Sequence, residues 1–196
     1  KHGSEAVWPY FYAGTMGPAQ SLGTVVAAME RLRDRPDVHL VLVGDGIERE
    51  ALRDQAARVG LARVTLHDRV QVSEVPRLIA SADVSLVSLA DEPLFRITLP
   101  SKVQATLACG GPLLAVAPGD AAAVAVASGA GVAVPPGDVD ALAAAVRDLA
   151  DSPRERLAEL RRAARAYYET TLSETINADV LARILRDAAG QGRVAP

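Results

Sequence analysis

Charged and hydroxyl side chains cluster where an apolar strand gives way to a helix. The apolar stretch 84–88 is followed by an irregular loop, and Pro100 ends that loop directly before Ser101 and Lys102. The first turn of a helix has unpaired backbone N–H groups and the positive end of the helix dipole, and both favour a phosphate or a carboxylate. Lys102 and Arg96 add full positive charges beside that turn. The stretch therefore predicts an anion-binding site.

Each of these residues also has a structural interpretation. Lys102 is compatible with an ordinary surface lysine on a helix. Arg96 has Asp91 and Glu92 in its own loop as alternative partners for an ion pair. Ser101 is expected to be the N-cap of its helix, a role that is compatible with contact to a phosphate.

The elements that must position these residues alternate between strand and helix as far as residue 134. Apolar runs predict strands at 9–14, 38–43, 64–67, 84–88, 113–116 and 131–134. Helical periodicity predicts helices at 21–33, 48–59, 73–80, 101–109 and 120–128, with Ser73 and Asp120 as N-caps. Such alternation is typical of right-handed parallel crossovers.

From residue 138 onward the sequence predicts helices only, at 138–149, 153–168 and 173–188, the first of them capped by Asp138. The expected fold is α/β, a Rossmann-like doubly wound parallel sheet of about six strands with a C-terminal helical extension. We expect one domain over 9–189, preceded by a linker or remnant at 1–8 and followed by a tail at 190–196.

Composition narrows the class of protein. The chain has 196 residues, of which 49% are apolar and 23% charged, so disorder is excluded and a core without disulfides is expected. The net charge is −3, and no basic tract occurs, so nucleic acid is not the expected partner. Cys109 is the single cysteine, which fits a reducing compartment. No stretch of ~20 apolar residues and no signal peptide is recognisable.

In an open parallel sheet, ligands bind outside the carboxyl ends of the strands. Four loops with suggestive chemistry leave those ends, at residues 14–20, 44–46, 67–70 and 91–101. They are far apart in sequence, but the predicted topology brings them to one edge. We expect the ligand site there.

Other site chemistries fit the sequence less well. A dinucleotide fingerprint needs three glycines after a strand, and Arg49 stands where the third would follow Gly44 and Gly46. No P-loop motif and no metal-ligand spacing occurs, so neither a resident cofactor nor a metal is expected. His67 and Asp68 are adjacent, but neighbours on a strand point to opposite faces. Asp45 is expected to cap the helix that follows it.

Five blocks of the sequence, taken in order, resemble the C-terminal donor-binding domain of retaining glycosyltransferases of family 4 (group 1) with the GT-B fold. The blocks are YAGTMGPAQSLGTVVAAM, LVLVGDGIEREAL, VTLHDRVQVSEVPRLIASADVSLVS, PLFRITLPSKVQATLACGGPLLA and AGVAVPPGDVDALAAAV. The fourth block resembles the P-S-K subgroup of that family, whose members often act on bacterial cell-surface polysaccharide.

The resemblance implies a nucleotide-diphosphate sugar, most commonly a UDP-sugar, as substrate. The loop from Gly14 through Thr15 to Gly17 would offer backbone N–H groups to the diphosphate. The main chain at Arg69 and Val70 would bond the base, and the helix that starts at Ser101 would hold the phosphates and face the sugar.

The sequence also departs from that family. Many members carry an arginine after the first glycine and a lysine a few residues on, where this chain has Thr15 and Gln20. Two glutamates that bracket the donor helix in many members are replaced by Ala105 and Ile97. Gln104 is the neutral candidate for the missing contact to the ribose, and Lys102 and Arg96 are the candidates for the displaced positive charge.

The resemblance further implies a partner and a location. The acceptor-binding N-terminal half is expected to be a separate, missing domain, without which this half would bind the nucleotide but catalyse nothing. We expect a cytoplasmic protein with a place at the inner face of the membrane, where any membrane contact is made through the missing half. A nucleotide-sugar epimerase of the same fold and a non-catalytic nucleotide-binding or interaction module remain the alternatives.

Overall fold

The computed structural model of the chain describes residues 8–60 and 62–191. In that part of the chain, six strands form one sheet. They are β1 (Trp8–Thr15), β2 (Val38–Asp45), β3 (Val64–His67), β4 (Val84–Ser88), β5 (Leu113–Val116) and β6 (Gly131–Val134). The predicted α/β architecture with six strands is confirmed.

Eight α-helices connect and flank the strands in the described ranges. They are α1 (Leu22–Arg31), α2 (Arg49–Val59), α3 (Val75–Ser81), α4 (Ser101–Ala108), α5 (Gly119–Ala127), α6 (Val139–Asp151), α7 (Arg154–Tyr167) and α8 (Glu174–Gln191). None of these helices is both long and apolar enough to span a bilayer.

The strand order is β3-β2-β1-β4-β5-β6, and every neighbouring pair is parallel. The first three strands therefore follow one another from the middle of the sheet to one edge. β4 then lies on the other side of β1, and β5 and β6 follow it to the opposite edge. The loops that follow β1 and β4 consequently leave the sheet in opposite directions. Such a switch point leaves a crevice at the carboxyl edge.

The side chains of β1 alternate between two core layers, as the pleat of a strand requires. Tyr10 and Tyr12 pack with α1 and α6, whereas Phe11 and Ala13 pack with α3. A further apolar cluster joins β4 and β5 to α4, α5 and α7. Helices thus pack on both faces of the sheet, although a recess of about 530 Å³ lies beside α3 on the face of β1 and β2. The loops at the carboxyl edge are the part of the sheet where the predicted ligand chemistry lies.

Four predicted helix caps are wrong. Ser73 lies inside a 3₁₀ turn (Val72–Glu74), and α3 begins after that turn at Val75. The carboxylate of Glu74 accepts from the backbone N–H of Gln71 at 3.0 Å. The turn is therefore closed without the serine hydroxyl.

The other three errors have a common form. Ser101 is the first residue of α4 and not its cap, because Pro100 holds the cap position in an extended conformation. Asp120 lies in the first turn of α5, behind Pro118. The carboxylate of Asp45 accepts from the next backbone N–H at 2.8 Å, so it stabilises the loop before α2 and not the helix.

The predicted cap at Asp138 is confirmed and gives a stability prediction. Its carboxylate accepts from the backbone N–H of Ala141 at 2.8 Å. Asp138→Ala is expected to lower the free energy of unfolding by about 1 kcal/mol. Asp120→Ala is the matched control, because Asp120 only faces the helix dipole and should cost about 0.3 kcal/mol. Urea denaturation checks both, and equal losses would contradict the assignment of the cap.

The predicted linker and the predicted tail lie partly outside the residues that the structure describes. Residues 1–7 of the predicted linker and 192–196 of the predicted tail lie outside the described residues, whereas Trp8 belongs to β1 and Gly190 to α8. Between α7 and α8 the chain forms a π-helical turn (Tyr168–Leu172).

Candidate functional site

Three of the four predicted loops meet in a cleft at the carboxyl edge of β1, β2 and β3. Its volume is about 420 Å³, which is in the range of small-molecule sites. It is lined by Ala13, Gly14, Thr15, Val43, Gly44, Asp45, Gly46, Arg69, Val70, Val72 and Val75. The fourth loop does not line it, but α4, which follows that loop, reaches Gly14 through Lys102.

The backbones of the first two loops are packed directly against each other. Gly14 and Gly44 are paired in register, and a Cβ on Gly44 would overlap the carbonyl oxygen of Gly14. The N–H of Met16 donates to the carbonyl of Asp45 at 2.8 Å, and the carbonyl of Met16 accepts from Glu48 at 3.1 Å. Gly44 therefore permits a contact between main chains that fixes the wall of the cleft.

Two N–H groups of the glycine loop already have acceptors. That of Met16 donates to Asp45, and that of Gly17 donates to the side-chain oxygen of Gln20 at 3.2 Å. Gln20 thus closes the loop on itself. A phosphate that used the N–H of Gly17 would have to displace that carboxamide.

Lys102 is the cation that the structure brings to the glycine loop. Its Nζ lies 5.0 Å from the centre of the Tyr12 ring, and a Cβ on Gly14 would overlap its terminal methylene. The side chain is half-buried, and loss of hydration lowers the pKa of its ammonium. Within residues 8–60 and 62–191 it forms no ion pair. A desolvated ammonium without a carboxylate partner is suited to an incoming anion.

Arg96 has the alternative partner that its own loop offers. Its guanidinium is 2.9 Å from the carboxylate of Asp91, and both side chains are largely exposed. The ion pair keeps this arginine within the loop that follows β4. Of the two predicted cations, the structure brings only Lys102 to Gly14.

Ser101 and Gln104 lie on another side of α4. Both are exposed, and both line a separate recess of about 380 Å³ that is bounded by the π-helical turn and the start of α8. Neither lines the cleft, and Gly17 does not line it either. Of the predicted site residues, the structure brings together Gly14, Thr15, Arg69, Val70 and Lys102.

Two residues that position the cleft were not predicted. Tyr12 is fully buried, and its hydroxyl donates to the carbonyl of Thr15 at 2.5 Å. Arg49 extends from α2 to the carboxylate of Asp68 at 2.5 Å, directly before Arg69. The alternation of β1 indicates only that Tyr12 is a core residue, and no short motif links Arg49 to a partner 19 residues away.

The cleft has the chemistry of a binding site. Its wall is apolar at Val43, Val70 and Val75, and its floor is main chain. The ammonium of Lys102 does not line the cleft but lies beside it, against Gly14. Asp68 pairs with Arg49, so it is not aligned with His67 as an acid–base pair. In the described ranges, no group of three His, Cys, Asp or Glu side chains could hold a metal ion. The arrangement suits a ligand with a flat apolar part and an anionic end.

Comparison with known families gives a match over most of the chain. The family described as "Glycosyl transferases group 1" matches residues 10–152. WcaI of Escherichia coli (strain K12), named as a colanic acid biosynthesis glycosyl transferase, is 32% identical over 100 residues, which are 51% of this chain and 24% of WcaI. The glycosyltransferase WbjE of Pseudomonas aeruginosa is 27% identical over 105 residues, which are 54% of this chain and 26% of WbjE.

Solved structures share the fold. HepE of Anabaena in complex with UDP superposes with a TM-score of 0.79 at 22% identity, over 92% of this chain and 49% of HepE. Sucrose-phosphate synthase of Thermosynechococcus elongatus has a TM-score of 0.79 at 25% identity, over 96% of this chain and 47% of the synthase chain. The chain thus spans about half the length of these proteins, and its matches span about a quarter of the two curated relatives.

Proposed function

Because the chain belongs to the group 1 glycosyl transferases, we propose that it is the nucleotide-diphosphate-sugar-binding half of a retaining glycosyltransferase. The products we propose are bacterial cell-surface polysaccharides or glycoconjugates. The name of WcaI supports this class of product, since it refers to colanic acid biosynthesis.

One observation carries the proposal, namely that segments distant in sequence line one cleft while a lysine of α4 lies against the glycine at its edge. Gly14 and Thr15 contribute the glycine loop, Arg69 and Val70 contribute the opposite wall, and Lys102 lies on Gly14. A nucleoside diphosphate has a flat base at one end and two linked phosphoryl groups at the other. We assign the base to the main chain at Arg69 and Val70, and the diphosphate to Lys102 and the glycine loop.

We propose UDP as the nucleotide. HepE, whose fold this chain shares, has been solved with UDP and with UDP-glucose. The apolar wall at Val70 and Val75 fits one face of a pyrimidine ring. No resident cofactor and no metal is part of the proposal, because a lysine ammonium supplies the countercharge.

In the proposed reaction the bond between the anomeric carbon of the sugar and the diphosphate oxygen breaks. The oxygen of an acceptor hydroxyl bonds to the same face of that carbon, and its proton passes to the departing diphosphate. Lys102 stabilises the negative charge that develops on the leaving group. Holding the donor in one orientation supplies the rest of the contribution from this half.

The acceptor site belongs, in this proposal, to a second half of similar size, consistent with the coverage of 49% of HepE. The 196-residue chain alone is then expected to bind the nucleotide without transferring sugar. We propose a cytoplasmic location at the inner face of the membrane, with membrane contact made by the other half.

Calorimetric titration of the chain with UDP, GDP and ADP tests the proposal. UDP is expected to bind most tightly, and UMP more weakly than UDP because it lacks the second phosphoryl group. Binding of none of these nucleotides at millimolar concentration would contradict the function. Equal binding of UDP and UMP would contradict the assignment of the diphosphate and would favour a non-catalytic module.

A further inference from the structure

We propose that Tyr12 is a positioning residue that holds the glycine loop and Lys102 in one arrangement, so that both meet the diphosphate of the nucleotide together. The inference rests on the function proposed above. It concerns a residue that is buried in the core and has no direct route to a ligand, since its exposed fraction is 0%.

The hydroxyl of Tyr12 fixes the loop. It donates to the carbonyl of Thr15 at 2.5 Å, the residue that ends β1 and lines the cleft. This bond joins the buried ring to the turn where the chain leaves the sheet. Burial also raises the pKa of the phenol, so the hydroxyl keeps its proton and remains a donor.

The ring of Tyr12 fixes the cation. The Nζ atom of Lys102 lies 5.0 Å from the ring centre, a distance at which an ammonium is attracted to an aromatic face. Lys102 belongs to α4, whereas Tyr12 faces the layer of α1 and α6. The lysine therefore crosses the edge of the sheet to reach the ring. Gly14 lies under its terminal methylene and leaves the necessary space.

Without the ring, no acidic partner in the described part of the chain would hold the ammonium near the loop. A free lysine side chain has many rotamers, and ordering it costs free energy. A cation–π contact restricts those rotamers but leaves the charge uncompensated. Tyr12 thereby presents a charge to the ligand that a carboxylate partner would have neutralised.

Tyr10 provides a matched control on the same strand. It is as deeply buried as Tyr12, with 3% exposed, and its hydroxyl also donates to a backbone carbonyl, that of Val146 at 2.9 Å. That bond lies on α6, away from the cleft. Leu and Phe variants at positions 10 and 12 therefore remove similar groups from the same core layer, but only those at 12 act on the loop and Lys102.

The test has a readout that needs no nucleotide. The chain contains only two lysines, Lys1 and Lys102, so ¹³C-lysine labelling gives two ε-methylene signals. The ring current of Tyr12 is expected to shift the Lys102 signal upfield in the wild type. The shift should persist in Tyr12→Phe and Tyr10→Leu and vanish in Tyr12→Leu.

The second readout is the ratio of UDP affinity to UMP affinity. Tyr12→Leu is expected to lower this ratio about threefold to tenfold. Tyr12→Phe, which loses only the bond to the loop, should lower it less, and Tyr10→Leu should leave it unchanged. In a Lys102→Met background, the change from Tyr12→Phe to Tyr12→Leu should have no further effect.

Each outcome decides the inference. An unshifted Lys102 signal in the wild type, or a ratio that Tyr12→Leu leaves unchanged or raises, would overturn the role of Tyr12 while UDP binding stood. Failure of the wild type to bind UDP would overturn the proposed function together with this inference. If Tyr12→Leu does not fold, the wild-type shift and the Tyr12→Phe ratio still decide it, since an unchanged ratio in that variant would refute the bond to the loop.

Discussion

Lys102→Met is expected to weaken UDP binding about tenfold to a hundredfold and to leave the fold intact. A hydrogen bond between an ammonium and a phosphate in a partly dry cleft contributes about 1.5–3 kcal/mol, and each 1.4 kcal/mol is a factor of about ten in affinity. Met keeps the length of the apolar stem, which is the part that packs on Gly14. Calorimetry with UDP and UMP measures the loss, which should be larger for UDP.

Two arginine variants distinguish the local effect of the Lys102 charge from the effect of the net charge of the protein. Arg53→Met changes the net charge equally, but Arg53 pairs with Glu50 on the exposed face of α2, so UDP affinity should be unchanged. Arg96→Met should have a smaller effect than Lys102→Met, because Arg96 is held by Asp91. A loss of equal size in Lys102→Met and Arg53→Met would show that only the overall field of the protein matters.

The pH dependence of UDP binding follows from the same lysine. Desolvation lowers the pKa of Lys102, so the ammonium loses its proton at a lower pH than an exposed lysine would. UDP affinity should therefore fall as the pH rises towards that pKa, and binding should be accompanied by proton uptake there. Lys102→Arg, which stays protonated, should remove this fall. An identical alkaline profile in both proteins would contradict the role of Lys102.

The sequence was most informative about the strands. The predicted bounds 64–67, 84–88, 113–116 and 131–134 coincide with β3 to β6. In β4 and β5 every residue is buried, so the apolar run has the same length as the strand. β1 is one residue longer than predicted at each end, at Trp8 and Thr15, and β2 continues two residues further, through Gly44. These extensions are held by main-chain hydrogen bonds between β1 and β2. The pattern of apolar side chains, from which the strands were predicted, carries no signal for such bonds.

Helix starts and charge partners were predicted less well, for different reasons. Several residues near a helix start can satisfy its N–H groups, so Ser101 and Asp120 looked like caps although the preceding prolines determine where the helices begin. The partner of a charge depends on distances that the sequence does not contain. Arg96 and Lys102 were both candidates, and the structure separates them, because Arg96 pairs with Asp91 whereas Lys102 reaches Tyr12 across the edge of the sheet.

The sequence predicted where in the fold the site lies, but it did not predict which side chains contact one another there. Parallel topology alone brings the loops after β1, β2 and β3 to one edge, as observed. The contacts depend on side chains whose partners are distant in sequence. Arg49, which argued against a dinucleotide fingerprint, instead holds Asp68 beside the cleft, and Gln20 occupies the N–H of Gly17.

Gly44→Ala is expected to destabilise the fold severely, by about 3 kcal/mol or more, whereas Gly14→Ala mainly impairs the site. The two glycines are paired in register and share a φ of 145°, so both variants carry the same kind of backbone strain, about 1–3 kcal/mol. They differ in what the added Cβ meets. At Gly44 it overlaps the carbonyl of Gly14 in the adjacent strand, and at Gly14 it overlaps the flexible end of Lys102.

The comparison of these two variants isolates the role of each neighbour. A backbone carbonyl in a parallel ladder cannot move without loss of the β1–β2 pairing, so Gly44→Ala should lose stability in urea denaturation beyond the strain that it shares with Gly14→Ala. The end of a lysine can move, so Gly14→Ala should displace the ammonium from Tyr12 and weaken UDP binding more than its loss of stability would suggest. If both variants were equally destabilised and bound UDP equally, the close approach of Lys102 to Gly14 would have no functional consequence. A fold that tolerates Gly14→Ala but binds UDP poorly would instead show that this glycine is needed for the lysine that lies on it.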